Sequence, residues 1–303
     1  MSETSTDWNT GVWPDWCPGC GNFGIFTALK GALSELGIDR KKFVIVSGIG
    51  CSGKIPHFVN VSGVHTLHGR AIPFATGIKT ANPELKVIVH GGDGDLLGIG
   101  MGHLVAMGRR NPDILVVVHN NGVYGLTKGQ ASPTLQLGNK TKSLAFPNIN
   151  SAINPILIGM ASGYTFLARS YAYNIEHLKG CLKQGISHNG AGILEVIQPC
   201  PTWNNIVTMD WIEKNTYYLE NWDPNVKDDE EALEKANAIV ALEHGKKKPL
   251  GILLEDGRKE PFGKRIASVY KYYATNTPAM QRVDDRGAAL PVDLEKTFER
   301  FFV

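Results

Sequence analysis

Apolar and polar stretches alternate in a way that predicts a βαβ unit in the middle of the chain. Short apolar runs at residues 87–90 and 114–118 predict two buried strands. Between them, apolar residues recur at helical spacing from residue 96 to 110, and two arginines end that stretch. Because parallel strands present their carboxyl ends at one edge of a sheet, we expect the loops after both strands to meet at that edge, where open α/β sheets bind ligands.

The same patterns extend this unit into a larger sheet. Residues 42–47 and 192–197 predict further strands, and helical spacing predicts helices within residues 23–36, 70–82, 153–161, 175–185 and 228–243. Residues 132–150 are polar and contain prolines, which predicts a loop that orders over a ligand. We therefore expect an α/β fold with an open, mostly parallel sheet and helices on both faces.

The character of the chain changes near residue 210. Residues 210–235 carry nine carboxylates against three lysines, whereas residues 244–273 carry eight Lys or Arg against three carboxylates. The remaining tail has low apolar content. We predict one domain over residues 1–209 and a C-terminal extension over residues 210–303 that packs on this domain or on a partner.

Composition excludes several classes of function. The net charge of +2 over 303 residues is too small to favour nucleic-acid binding. No apolar run approaches the roughly 20 residues that a membrane-spanning helix needs, and the N-terminus is polar. Five cysteines, an odd number, argue against a secreted disulfide framework. We expect a cytoplasmic protein that binds neither nucleic acid nor membrane.

Two loops of the central unit carry the side chains of a candidate cation site. The glycine-rich loop that contains Asp93 follows the first strand, and Asn121 follows the second. Glycines let backbone come close to a ligand, and carboxylate, amide and carbonyl oxygens suit a divalent cation that also holds phosphate. Gly-Asp-Gly alone is as often a simple turn as a cation site. A second loop 25 residues further on favours the cation site.

Four of the five cysteines lie near the N-terminus or in loops that follow strands: Cys17, Cys20, Cys51 and Cys200. The fifth, Cys181, lies in a half-apolar helical segment and is interpreted as a small core residue. Three interpretations of the four remain open from the residues alone: a [4Fe–4S] cluster, a structural zinc site, or cysteines without a common role. A redox disulfide at Cys17 and Cys20 would need a thioredoxin-like context, which is absent.

Several motifs in order resemble the β subunit of archaeal-type 2-oxoacid:ferredoxin oxidoreductases. They are WCPGCG at residues 16–21, GIGCSG at 48–53, HGR at 68–70, GDGD at 92–95, NNGVYGLTKGQ at 120–130 and PC at 199–200. The resemblance covers residues 13–201 closely and the tail more loosely. It implies the diphosphate-binding domain of a thiamine diphosphate enzyme.

The resemblance also implies which residues hold cofactors. Mg²⁺ would be held by Asp93, Asn121 and the backbone carbonyl of Val123, and the four loop cysteines would bind one [4Fe–4S] cluster. The other residues predicted to contact the cofactors lie in the same motifs or directly after one: Cys51, Ser52, Gly53, Lys54, His68, Gly92, Gly94, Asp95, Gly125 and Leu126.

Two lysines are candidate catalytic residues. Lys54 could pair with a substrate carboxylate, and Lys128 could contact substrate or a phosphate of coenzyme A; the alternative for each is a solvated lysine. His68 could touch the diphosphate or be a satisfied core histidine, and Asp95 could orient its loop.

The resemblance further implies a heterodimer. A partner α subunit, or its fused γα form, would supply the pyrimidine-binding domain and the glutamate that activates the cofactor. The expected reaction is oxidative decarboxylation of 2-oxoacids such as pyruvate and 2-oxoglutarate, with coenzyme A taking the acyl group and ferredoxin the electrons. The alternatives are a non-redox thiamine diphosphate-dependent decarboxylase subunit, which has no use for the four cysteines, and a zinc-bearing scaffold subunit.

Overall fold

The centre of the fold is an eight-stranded sheet with strand order β2-β1-β3-β4-β8-β7-β10-β9. The computed structural model describes residues 8–281. The strands are β1 Phe43–Ser47, β2 Ser62–His65, β3 Lys86–Gly92, β4 Ile114–Asn120, β7 Phe166–Tyr171, β8 Ala191–Ile197, β9 Thr216–Tyr218 and β10 Lys248–Glu255. A small hairpin pairs β5 Val123–Tyr124 with β6 Gln130–Ala131. Within the large sheet only β10 and β7 pair antiparallel.

Helices cover both faces of this sheet. They are α1 Asn22–Leu36, α2 Ile55–Phe58, α3 Ala71–Ala81, α4 Met101–Arg110, α5 Pro155–Ser162, α6 Ile175–Ser187, α7 Met209–Asn215, α8 Asp229–Glu243, α9 Phe262–Val269 and α10 Lys271–Thr275. Helices α1 and α6 pack on one face, while α3, α4 and α5 pack on the other. The predicted fold class is confirmed.

The central strands form because they supply apolar side chains to both faces. In β1, Ile45 belongs to the core under α1, while its neighbours Val44 and Val46 belong to the opposite core. All seven residues of β8 are buried. A near-continuous apolar run, instead of an alternating one, is what a parallel sheet covered on both sides requires.

Strand order places a ligand crevice between β1 and β3. The chain leaves β1 for β2 on one side and then returns to add β3 on the other side, so the connections diverge there. The loops after these two strands touch: the backbone N–H of Ile49 donates to Asp95 Oδ1 at 3.1 Å. The fold therefore brings the Cys51 loop and the glycine-rich acidic loop together.

The helix predicted over residues 96–110 is in fact divided. A π-helical turn spans Gly94–Ile99, the backbone of Gly98 is not helical, and α4 begins at Met101. The N–H of Gly100 donates to the carbonyl oxygen of Asp95 at 2.9 Å, five residues back. A Cβ on Gly100 would lie 2.6 Å from that oxygen, so glycine is what allows the wider turn.

Part of the C-terminal extension completes the sheet. Strand β10 lies between β7 and β9, and its Leu250 and Leu253 are buried. No strand was predicted in this basic stretch of the sequence. Residues 282–303 of the predicted extension lie outside the described residues. Among the residues described, no helix combines the length and apolar character needed to cross a bilayer.

Candidate cofactor site

A cavity of about 180 Å³ lies in the crevice at the carboxyl ends of β1, β3 and β4. Most of the predicted cofactor residues line it: Cys51, Ser52, His68, Gly92, Asp93, Gly94, Asp95, Asn121, Val123, Gly125 and Leu126. Gly53 and Lys54 are outside this lining. Tyr124, Thr127, Ile49 and Gly50 line the cavity but were not predicted, although each lies inside a motif named above.

Asp93 is buried at the end of β3 and is held by four donors. Its Oδ1 accepts from the N–H of Gly94 at 3.0 Å, and its Oδ2 accepts from the N–H of Gly122 at 2.9 Å. The hydroxyls of Ser132 and Thr134 also donate to Oδ2. Burial raises the pKa of this carboxyl, and the four hydrogen bonds oppose that rise. A nearby cation would favour the ionised form of such a carboxyl.

Asn121 is fixed on both sides of its amide. Its Oδ1 accepts from the N–H of Val123 at 3.0 Å, and its Nδ2 donates to Gln198 Oε1 at 2.7 Å. Its backbone carbonyl accepts from Asn204 Nδ2 at 2.7 Å. The loop after β4 is therefore held in one shape by side chains from beyond β8.

Asp95 joins three loops around the cavity. Its Oδ1 contacts His68 Nδ1 at 2.5 Å and accepts from the N–H groups of Ile49 and Gly69. Its Oδ2 is buried and has no hydrogen-bond partner among the described residues. A Cβ on Gly48 would lie 1.9 Å from that oxygen, which explains the glycine at the end of β1. His68 is thus held by a carboxylate, with its ring 6.3 Å from Tyr124.

These residues fit a cation–diphosphate group. Asp93 and Asp95 place two buried carboxylates at one crevice, where an unpaired buried charge is costly unless a cation compensates it. Tyr124 packs so closely on Gly94 that a Cβ there would lie 2.2 Å from its ring. Glycine at this position therefore leaves room for the ring of Tyr124 beside the first residue of the π-helical turn.

The four loop cysteines lie close enough to influence one another. The thiols of Cys17, Cys51 and Cys200 all contribute to the electrostatic environment of Cys20. A Cβ on Gly125 would lie 3.7 Å from the Sγ atoms of both Cys51 and Cys200. Cys181 is buried in α6 and is not among these neighbours.

Burial makes three of these thiols, those of Cys20, Cys51 and Cys200, poor candidates for free thiolates. It raises the pKa of Cys20 to about 12 and also raises the pKa of Cys51 and Cys200. Thiolate ligands therefore need compensating positive charge, which iron or zinc would supply. Among the described residues, no three His, Cys, Asp or Glu side chains are arranged to hold a single metal ion.

Both candidate catalytic lysines lie outside the cavity lining. Lys54 Nζ forms an ion pair with Asp15 Oδ2 at 2.8 Å, and this contact lowers the pKa of Asp15. Lys128 is exposed in a tight turn, with a positive φ of 80°. Sequence reasoning missed Ser132, Thr134 and Gln198, which contact the predicted ligands from distant segments.

Fold and cavity define the class of this protein. Residues 48–196 match the family described as thiamine pyrophosphate enzyme, C-terminal TPP binding domain. Residues 200–282 match the family described as the C terminal of the pyruvate ferredoxin oxidoreductase beta subunit. The chain therefore has the thiamine diphosphate-binding domain of an enzyme.

Relatives narrow the class to one family. The chain is 56% identical over 285 residues to a 2-oxoacid:ferredoxin oxidoreductase subunit beta of Sulfolobus sp, covering 92% of this chain and 93% of the relative. It is 52% identical to 2-oxoacid:ferredoxin oxidoreductase 1, subunit beta, of Aeropyrum pernix, and the match covers 100% of this chain and 98% of that relative. The chain belongs to the β subunits of 2-oxoacid:ferredoxin oxidoreductases, which confirms the resemblance seen in the sequence.

A solved structure supports the same assignment. The 2-oxoglutarate:ferredoxin oxidoreductase from Magnetococcus marinus, with 2-oxoglutarate, coenzyme A and succinyl-CoA bound, matches with a TM-score of 0.83 and 33% identity. The match covers 98% of this chain and 96% of that one.

Proposed function

We propose that this chain binds Mg²⁺–thiamine diphosphate and one [4Fe–4S] cluster side by side, and that with an α subunit it oxidises 2-oxoacids to acyl-coenzyme A and CO₂. The observation that carries this proposal is the shared loop: residues 49–52 line the cofactor cavity and include Cys51, one of the four clustered thiols. Electrons would then pass from the cofactor directly to a neighbouring cluster.

The cation site is assigned to Asp93, Asn121 and the carbonyl of Val123. Asp93 would supply the negative charge, while Ser132 and Thr134 keep its Oδ2 oriented. Thiamine diphosphate, when bound, supplies the electron sink that cleavage beside a carbonyl requires. The chain's own contribution is to bind the diphosphate and to orient it in a crevice that the α subunit would close.

Cys17, Cys20, Cys51 and Cys200 are assigned to the cluster. They come from three separate segments, which suits a group whose four irons present separate corners. The indole N–H of Trp16 donates to the carbonyl of Cys51 at 2.7 Å and so ties the first segment to the second. An iron–sulfur cluster accepts electrons one at a time, as reduction of ferredoxin requires.

An α subunit is expected to close the cavity. Apolar side chains are exposed on the loops around it: Leu67 at 77%, Ile99 at 58% and Leu126 at 48%. Large apolar side chains exposed around a cofactor cavity are candidates for contact with a partner subunit. We expect this chain alone to be inactive, because no residue of it matches the activating glutamate. Coenzyme A and 2-oxoacids would bind between the two subunits.

The cysteines provide the test of this function. Replacing Cys17, Cys20, Cys51 or Cys200 by Ser in the purified complex should remove iron and sulfide, the absorbance near ~400 nm and reduction of ferredoxin. Cys181→Ser is the matched control, because this thiol is buried elsewhere, and it should retain all three. Zinc in place of iron would support the scaffold alternative, and a colourless, active complex would support the non-redox decarboxylase.

A further inference from the structure

Gln198 lies between the cation loop and the first cysteines. It follows β8, and 1% of its surface is exposed. Its Oε1 accepts from Asn121 Nδ2 at 2.7 Å, while its Nε2 donates to Cys20 Sγ at 3.3 Å and to the carbonyl of Pro199 at 2.8 Å. One amide therefore contacts a predicted cation ligand and a predicted cluster ligand.

The hydrogen-bond network fixes the orientation of this amide. Asn121 Oδ1 accepts from the N–H of Val123, so Asn121 must present Nδ2 to Gln198. Gln198 must then present its oxygen to Asn121. Its NH₂ group is left facing Cys20 Sγ and the carbonyl of Pro199, both of which are acceptors. The loop at the cation site thus determines that a donor points at the sulfur.

Packing holds the side chain in this place. A Cβ on Gly21 would lie 2.9 Å from Gln198 Cγ and 3.1 Å from both Ala172 Cβ and Pro199 Cδ. The backbone of Gly21 has an ordinary φ of −60°, so space alone requires glycine there. The residue directly after Cys20 is therefore small so that Gln198 can pass over it.

We propose that Gln198 is a positioning residue that couples the two cofactor sites, an inference that rests on the function proposed above. Its oxygen would hold Asn121 in place for the cation. Its N–H would stabilise the extra negative charge on the sulfurs when the cluster takes up one electron, and so raise the reduction potential. Loading of the diphosphate site and the redox potential of the cluster would then depend on the same side chain.

The test uses the complex with its partner subunit and two readouts. Potentiometric titration followed by electron paramagnetic resonance gives the midpoint potential, and calorimetry gives the affinity for Mg²⁺–thiamine diphosphate. Gln198→Met removes all three polar contacts at similar volume. It should lower the equilibrium constant for cluster reduction about tenfold, which is ~59 mV for one electron, and weaken cofactor binding several-fold.

A second variant keeps the amide but displaces it. Gly21→Ala should push Gln198 away from Cys20 and lower the potential in the same direction. Gly102→Ala is its control, because a Cβ there meets no atom within 4 Å. Ser132→Ala removes a donor to Asp93 without a sulfur contact, so it should weaken cofactor binding and leave the potential unchanged.

The outcomes separate this inference from the proposed function. A wild-type complex without iron would overturn the proposed function and this inference with it. A wild-type cluster whose potential is the same in Gln198→Met would overturn the inference alone. If Gln198→Met does not retain the cluster, Gly21→Ala decides: a lower potential supports the coupling, and an unchanged potential rejects it.

Discussion

Asp93 Oδ2 accepts a hydrogen bond from the backbone N–H of Gly122 at 2.9 Å. This contact joins the end of β3 directly to the loop after β4. The two residues are far apart in sequence, but β3 and β4 are neighbouring parallel strands, so their carboxyl ends coincide. The carboxylate therefore shapes the second loop of the cation site as well as contributing to the first.

Asp93→Ala should abolish retention of Mg²⁺–thiamine diphosphate. The cation would lose its charged oxygen ligand while the phosphates keep their mutual repulsion. Cofactor content after dialysis measures the effect. Ser132→Ala is the graded control: the carboxylate stays but loses one donor, so affinity should fall only about tenfold. Full cofactor occupancy in the Asp93 variant would refute the assignment.

Lys54→Ala tests a role in substrate choice. If Lys54 leaves Asp15 to meet the distal carboxylate of 2-oxoglutarate, its loss should lower kcat/KM for that acid by roughly 10- to 150-fold and hardly affect pyruvate. Asp15→Asn removes the competing partner and should preserve or raise activity on 2-oxoglutarate. Equal losses in both variants would mean that the Lys54–Asp15 pair is structural.

Reversing Lys246 and Lys247 to Glu should slow ferredoxin reduction at low salt. Because β10 runs antiparallel to β7, these exposed lysines lie at the same edge of the sheet as the cofactor loops. Lys248 is left unchanged because it donates to the Glu243 carbonyl. Reversing Lys41 and Lys42, before β1 at the opposite edge, gives an equal change in charge as a control. Reduction of a small neutral dye should be unaffected, and the difference should vanish as salt screens the attraction.

His90 and His119 should make the fold sensitive to acid. His90 Nδ1 contacts His119 Nε2 at 2.9 Å inside the sheet, and burial lowers the pKa of His90 to about 3 and that of His119 as well. The unfolded chain takes up protons near pH 6.5, whereas the folded one does not. The free energy of unfolding should therefore be highest above pH 6.5 and should fall steadily as the pH drops toward 3.

Chemical denaturation at several pH values measures this loss of stability. His90→Phe should flatten the dependence by removing one of the two buried groups. His57→Gln, a change at an exposed histidine, should leave the curve as it is. A wild-type protein equally stable across this range would contradict the buried neutral pair.

Glu243→Gln should destabilise the attachment of the C-terminal extension. Its carboxylate, buried at the end of α8, contacts Arg169 of β7 at 2.5 and 2.9 Å. Losing the charge leaves the buried guanidinium with Glu195 alone, at a cost of roughly 3 kcal/mol. Glu234→Gln, on the exposed side of the same helix, should be neutral in urea unfolding.

Strands with continuous apolar runs could be predicted from sequence, whereas β7 and β10, which carry charges, could not. β1, β3, β4 and β8 contain continuous apolar runs and were all predicted. β7 was missed because Arg169 interrupts its apolar run, and this charge is tolerated only because Glu195 and Glu243 pair with it. β10 was missed because its buried leucines lie in a basic stretch with many charged residues.

The cofactor site shows the same division. Motif residues such as Asp93 and Asn121 could be located because glycines and spacing mark their loops. Ser132, Thr134 and Gln198 could not, because only the folded chain brings these ordinary polar residues against the motifs. The division of the predicted helix at Gly98 was also invisible, because periodicity continues across it while the backbone widens.

The spacing of the four thiols has a consequence for how the protein matures. Cys17 and Cys20 precede the first strand, whereas Cys200 follows the eighth in chain order. All four proposed ligands can be presented together only after nearly the whole sheet has assembled, so insertion of the proposed cluster would be a late event in biogenesis. Once inserted, the cluster would fasten the start of the chain to the loop after β8, a central strand of the sheet. In iron-starved cells the folded apo-subunit would hold this segment through Trp16 without the cluster, and the segment should be cut by proteases more readily than in the loaded protein.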